Sequence, residues 1–154
     1  MRRIKMFVTC VLIVGVAAGV RALAQGPPVD ASESLTVDGI CAFPVLVEIT
    51  GKSGFIALPG GRAIVTFPGQ RVTLTNLDDP SHTYTTAIPG AFHLTFLEND
   101  VVRLTGTGRN LFVGFDSGLV LAIGTFSVAL DIDGNETEPF GGRGQIIDVC
   151  GLLD

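Results

Sequence analysis

A chain of 154 residues with 47% hydrophobic residues can bury one sizeable core, but with one Tyr and no Trp it lacks the aromatic platforms that usually carry sugar rings or stacked bases. Fifteen acidic residues against ten basic ones give a formal charge of −5, which disfavours nucleic acid and anionic membrane as partners.

The chain opens with basic Arg2, Arg3 and Lys5, an apolar run over Met6 to Val20, and then Ala22-Leu23-Ala24. This is the pattern of a secretory signal peptide, with cleavage expected after Ala24. The apolar run falls short of the roughly 20 residues that cross a bilayer, so no stable membrane insertion is expected once residues 1–24 are removed. Cleavage takes four basic residues and Cys10 with it, leaving six basic residues against all fifteen acidic ones, a formal charge of −9. Expected localisation is therefore secreted, either extracellular or in the cell envelope.

Residues 25–39, rich in Pro, Ser, Asp and Glu, read as a flexible leader. From Ile40 the pattern becomes short runs of Val, Ile, Thr, Leu and Phe ended by Gly, Pro, Asn or Asp, and residues 40–154 read as a single β domain. Strands are expected near 43–50, 54–58, 62–67, 70–76, 82–87, 91–97, 100–106, 109–115, 118–131 and 144–149. Alternation is clear in Arg71-Val72-Thr73-Leu74-Thr75, which marks a half-buried strand. Pro68-Gly69, Asp78-Asp79-Pro80, Pro89-Gly90, Glu98-Asn99-Asp100, Thr107-Gly108 and Asp133-Gly134 supply turns. The run Leu119 to Leu130 is apolar on both faces and should be a central strand bent at Gly124. The fold class is all-β: an antiparallel β-sandwich or flattened β-barrel of about 8–10 short strands.

Two cysteines survive cleavage, Cys41 and Cys150, and in an exported chain an even pair reads as a disulfide. It would close a loop of about 109 residues, worth roughly 4–5 kcal/mol in the chain-entropy model.

Several local patterns suggest chemistry and fail on spacing. Gly51-Lys52-Ser53 lacks the leading glycine and the following helix of a phosphate-binding loop and reads as a hairpin turn. Ser117 in Gly114-Phe115-Asp116-Ser117-Gly118 lacks the glycine two positions earlier that a hydrolase elbow needs. Asp78, Asp79, Ser81 and His82 cluster on one loop, where turn chemistry is the ordinary use of such residues. Were strand pairing to bring His93 to His82, the two with Asp79 would make a zinc or copper site; otherwise both are solvated surface histidines. Asp131, Asp133 and Asn135 alternate like calcium ligands, with Glu136 or Glu138 as helpers. However, the glycine and glutamate positions of an EF-hand loop do not match, and Asp-Gly-Asn signals a type I′ turn with Gly134 and Asn135 at positive φ. No catalytic set and no cofactor are expected.

Taken together, Cys41-Ala42-Phe43-Pro44-Val45, the Thr50-Gly51-Lys52 turn, Val72-Thr73-Leu74-Thr75-Asn76-Leu77-Asp78, Gly90-Ala91-Phe92-His93, Thr107-Gly108-Arg109-Asn110-Leu111, Gly118-Leu119-Val120-Leu121, Asp131-Ile132-Asp133-Gly134-Asn135 and Gly144-Gln145-Ile146-Ile147-Asp148-Val149-Cys150 resemble a family of small secreted bacterial proteins, mainly actinobacterial, of unassigned function. The resemblance implies export, one β domain and a terminal disulfide, and carries no activity with it.

The function expected from these features is a non-enzymatic binding or interaction module at the cell envelope or outside the cell, touching its partner through loops. The alternative is a β-barrel that carries a small apolar ligand in a Phe-lined cavity.

Overall fold

The computed structural model describes residues 26–115 and 118–154. The expected signal peptide and Ser117 lie outside the described residues. Eleven strands form two antiparallel sheets: β1 (Val29–Asp30), β2 (Glu33–Val37), β3 (Val45–Thr50), β4 (Lys52–Leu58), β5 (Arg62–Thr66), β6 (Arg71–Asn76), β7 (Thr83–Ala87), β8 (Ala91–Phe96), β9 (Val102–Phe115), β10 (Gly118–Leu130) and β11 (Glu136–Asp148). One helical turn, α1 (Val149–Leu152), follows. The larger sheet has the order β1-β4-β5-β8-β9-β10-β11 and the smaller β2-β3-β6-β7. Both stay open, so the chain is an all-β sandwich and the barrel alternative falls.

Four details depart from the sequence expectations. Residues 25–39 are not simply a flexible leader: β2 pairs with β3 from Glu33↔Ile49 to Val37↔Val45, and Val37 is buried. Its low apolar content hid a strand whose two inward residues, Leu35 and Val37, suffice on a sheet edge. Gly51-Lys52-Ser53 is not a hairpin turn either, because β3 and β4 belong to different sheets and the chain crosses between them there. Nor are all strands short. β9 runs through the expected Thr107-Gly108 turn as 14 residues, and β10 and β11 have 13 each. Last, the chain ends in a helical turn capped by Asp148, whose carboxylate accepts from the Cys150 N–H at 3.0 Å.

Alternation explains the first core. Val45 and Val47 of β3 and Val72 and Leu74 of β6 point inward from the small sheet and meet Leu119 and Leu121 of β10, with Val149 and Leu153 sealing one end. Each such side chain contributes about 1.5–3 kcal/mol by leaving water. The even-numbered residues of β10 build a second core: Val120, Ala122 and Phe126 pack with Phe112 of β9, Phe92 of β8 and Phe140 of β11 on the other face of the large sheet. Phe112 meets Phe92 edge-on at 5.3 Å and Phe140 at 4.9 Å, while Phe126 stacks on Phe140 at 5.5 Å.

The second core exists because the large sheet folds over on itself. A Cβ on Gly106 would lie 2.8 Å from Phe112 Cζ. Six residues of straight strand span about 20 Å, well beyond the reach of a phenylalanine ring, so β9 must bend between them. The bend coincides with three glycines paired side by side, Gly108↔Gly124↔Gly144. Gly124, where the sequence places a bend, has φ +140°, and a Cβ there would meet the Arg143 carbonyl oxygen at 2.3 Å. Only glycine accommodates both that dihedral and that approach.

Candidate functional site

The side chains that alternate outward from the small sheet form a hydroxyl-bearing face. With Val72 and Leu74 inward, Arg71, Thr73 and Thr75 of β6 point out, opposite Thr83 and Thr85 of β7. Pairing sets Thr73 against Thr85 and Thr75 against Thr83, and the hydroxyl oxygens approach to 3.0 and 3.2 Å. Across the sheet the same face continues through Glu48 and Leu46 of β3 to Ser34 and Thr36 of β2. Threonine suits such a surface twice over: its branched Cβ favours the strand, and paired threonines stabilise a sheet by about 0.2–1 kcal/mol per pair. A hydroxyl has one donor and two acceptor sites, so the Thr73–Thr85 contact leaves hydrogen-bonding capacity directed at solvent. Thr83 and Thr85 are exposed, as are Ser34, Thr36 and Glu48. Thr-x-Thr occurring in both β6 and β7 was the sequence signal for this face, and it is easily passed over because it also reads as plain strand alternation.

The loop residues singled out in the sequence serve the loops themselves. Asp79 accepts from the Ser81 N–H at 3.1 Å and from the Ser81 hydroxyl at 2.6 Å. The Ser81 hydroxyl, followed by its N–H, holds the Asp79 carboxyl below its ordinary pKa, and His82 Nδ1 stands 3.8 Å away. Asp78 donates its N–H to the buried Asn76 side chain. His93 lies in the other sheet, where β8 pairs with β5 and β9, and its Nε2 is 3.4 Å from Thr107 Oγ1. The zinc or copper grouping of His82 with His93 is therefore not assembled: His82 lies on the loop before β7 of the small sheet and His93 within β8 of the large one. No group of three or more His, Cys, Asp or Glu side chains comes together among the described residues.

The Asp131 loop is a three-residue hairpin connection. The Gly134 N–H bonds to the Asp131 carbonyl and the Asp131 N–H to the Asn135 carbonyl, both at 3.0 Å. Gly134 has φ +79°, whereas Asn135 does not share the positive φ that a type I′ turn requires. The pattern fits a type I turn followed by a left-handed glycine, one residue longer than the expected turn. Asp131 Oδ1 accepts from the Asp133 and Asn135 N–H groups, and the Asn135 side-chain amide reaches both carboxylate oxygens. These bonds, that of the Asn135 side chain first, hold the Asp131 carboxyl below its ordinary pKa. As a calcium ligand it would have to give them up. Of the expected helpers, Glu138 is paired with Arg103.

Cys41 and Cys150 form the disulfide, with Cα atoms 5.3 Å apart and a sequence separation of 109. It lies against the first core and fastens the entry to β3 to helix α1. Arg109 Nη1 donates to Thr86 Oγ1 at 2.8 Å, a tie between the two sheets that no sequence spacing announced.

Comparison with protein families, with curated proteins and with solved structures finds no match. Function therefore rests on the residues themselves.

Proposed function

We propose that this chain is an exported, non-enzymatic binding module of the cell envelope or extracellular space, and that its contact surface is the hydroxyl face of the small sheet. The observation that carries this reading is a contrast. Asp79 and Asp131 spend their carboxylates on shaping their own loops, whereas the paired hydroxyls of Thr73 with Thr85 and of Thr75 with Thr83 lie on an open sheet face and keep acceptor sites beyond those pairings. This moves the expected contact surface from the loops to a sheet face. The disulfide suits an oxidising compartment, in keeping with the basic, apolar and small-residue order of the first 24 residues. No helix among the described residues is long and apolar enough to cross a membrane. The apolar-carrier alternative loses its support, since Phe92, Phe112, Phe126 and Phe140 pack ring against ring within the fold.

The test is co-sedimentation of the full mature chain with isolated envelopes of the producing cell. A Thr73→Val, Thr85→Val double variant keeps shape and strand preference while removing the hydroxyls. Its binding should fall at least tenfold while the variant still unfolds cooperatively with the disulfide intact; equal binding by the variant refutes the surface.

A further inference from the structure

Of the four asparagines in the chain, only Asn135 is followed two residues later by a hydroxyl side chain, in Asn135-Glu136-Thr137. This is the acceptor spacing for an N-linked oligosaccharide, used at surface positions of exported chains. An acidic residue, Asp133, also stands two positions before the asparagine.

The fold presents this tripeptide openly. Asn135 and Thr137 are both exposed where the hairpin between β10 and β11 turns. The Asn135 side-chain nitrogen donates to Asp131 Oδ2 at 3.0 Å and to Oδ1 at 3.2 Å. A glycosylated amide keeps one N–H, enough for one of those contacts, and the backbone bonds that shape the loop need no change. Two neighbouring features gain from a bulky hydrophilic cover. Ile132 at the tip is 80% exposed, the most exposed of the large apolar side chains among the described residues. Next to it begins β11, the outermost strand of the large sheet, whose outer edge invites pairing with other chains.

We propose that Asn135 is the acceptor of an N-linked oligosaccharide. The donor is an oligosaccharide carried on a polyprenyl diphosphate. The Asn135 amide nitrogen attacks the anomeric carbon; the C–N bond forms as the C–O bond to the diphosphate breaks, the lipid diphosphate leaves with the electron pair, and the amide proton passes to a base of the transferase. The Thr137 hydroxyl is the group by which a transferase holds the acceptor. The site depends on the export reading above, since such transfer occurs on the far side of the membrane.

The experiment has two arms. Protein purified from the medium or envelope of its own producing cells is digested with trypsin, and the peptide 110–143, which contains Asn135 and ends at Arg143, is weighed before and after amidase release of N-glycans. A sugar mass on that peptide, with Asn135 converted to Asp on release, is expected. It should vanish in Asn135→Gln and in Thr137→Val and return in Thr137→Ser, with all three keeping the disulfide and a cooperative unfolding transition. Loss in Asp133→Ala assigns a transferase that reads the acidic residue, and retention one that reads Asn-x-Thr alone. An N-terminus at Gln25 on protein whose peptide 110–143 is bare overturns the glycan and leaves export standing. If the chain is found inside the cell with residues 1–24 intact, export itself has failed. The second arm then decides the acceptor: folded full-length chain is incubated with an oligosaccharyltransferase and a polyprenyl-diphosphate oligosaccharide, and failure of Asn135 to accept sugar overturns the site.

Discussion

The Asn76 side-chain amide donates to the Leu153 carbonyl oxygen at 3.1 Å, tying the end of β6 to the second-last residue of the chain. Asn76 is buried, and its amide oxygen also accepts from the N–H groups of Asp78 and Asp79. Asn76→Ala removes the partner of three backbone groups at once, of which the Leu153 carbonyl belongs to a buried residue. A loss of about 1–3 kcal/mol is expected from unsatisfied polar groups, read by urea denaturation. Asn76→Asp should also destabilise, because a carboxylate cannot donate to Leu153.

The disulfide locks the same end of the molecule. Replacing both Cys41 and Cys150 by Ala frees a loop of 109 residues in the unfolded chain and should cost about 4–5 kcal/mol in the chain-entropy model. Equal denaturation midpoints for the double variant and the oxidised wild type would count against this role.

Arg103 and Glu138 flank Ala129 from β9 and β11 and close a two-pronged ion pair across β10, Arg103 Nε donating to Glu138 Oε2 at 3.0 Å and Nη2 to Oε1. The Arg103 hydrogen bonds hold the Glu138 carboxyl below its ordinary pKa. A depressed pKa contributes stability that is present above the unfolded value and lost as pH falls through the folded one, here on the acid side of the ordinary glutamate range. Glu138→Gln should therefore narrow the gap between melting temperatures measured at pH 7 and pH 3. Because both partners are exposed, added salt should weaken the effect at pH 7.

Gly124→Ala is expected to be among the most damaging small substitutions in the chain. Its φ of +140° excludes an L side chain, and the new Cβ meets backbone at 2.3 Å rather than a flexible group. Strain of this kind costs about 1–3 kcal/mol before any clash is added. Gly141→Ala, in β11 with no atom within 4 Å of the new Cβ, is the control and should be nearly neutral. Thermal unfolding of the pair separates backbone strain from loss of glycine as such.

At the Asp131 loop, hairpin and calcium site predict opposite outcomes. As a hairpin, Gly134→Val should cost about 1–2 kcal/mol at φ +79°, and Asp133→Ala should change little because no hydrogen bond of its carboxylate shapes the turn. Asp131→Ala should lower the melting temperature measurably at neutral pH and less in acid, since the Asp131 pKa is depressed and its contribution fades as pH falls through the folded value. Millimolar Ca²⁺ should leave the melting temperature unchanged; a rise of several degrees that is absent with Mg²⁺ and lost in Asp133→Ala would show a metal site instead.

Local chemistry was enough to make several features legible in the sequence. Alternation in Arg71 to Thr75 places Val72 and Leu74 inward whatever the partner strand, because successive side chains on a strand point to opposite faces. Cys41 and Cys150, the pair the sequence offered, are joined, and Gly134 marks a turn from its own dihedral freedom. What depends on which strand lies beside which had to wait for the tertiary structure. Leu35 and Val37 form a strand only because β3 is there to pair with them, and Thr107-Gly108 continues as strand because Gly124 and Gly144 stand beside it. The second phenylalanine core, the crossing at Gly51, the separation of His82 from His93 and the hydroxyl face all arise from non-local pairing. That pairing is set by how two apolar faces fit together, and no short window of sequence contains both faces.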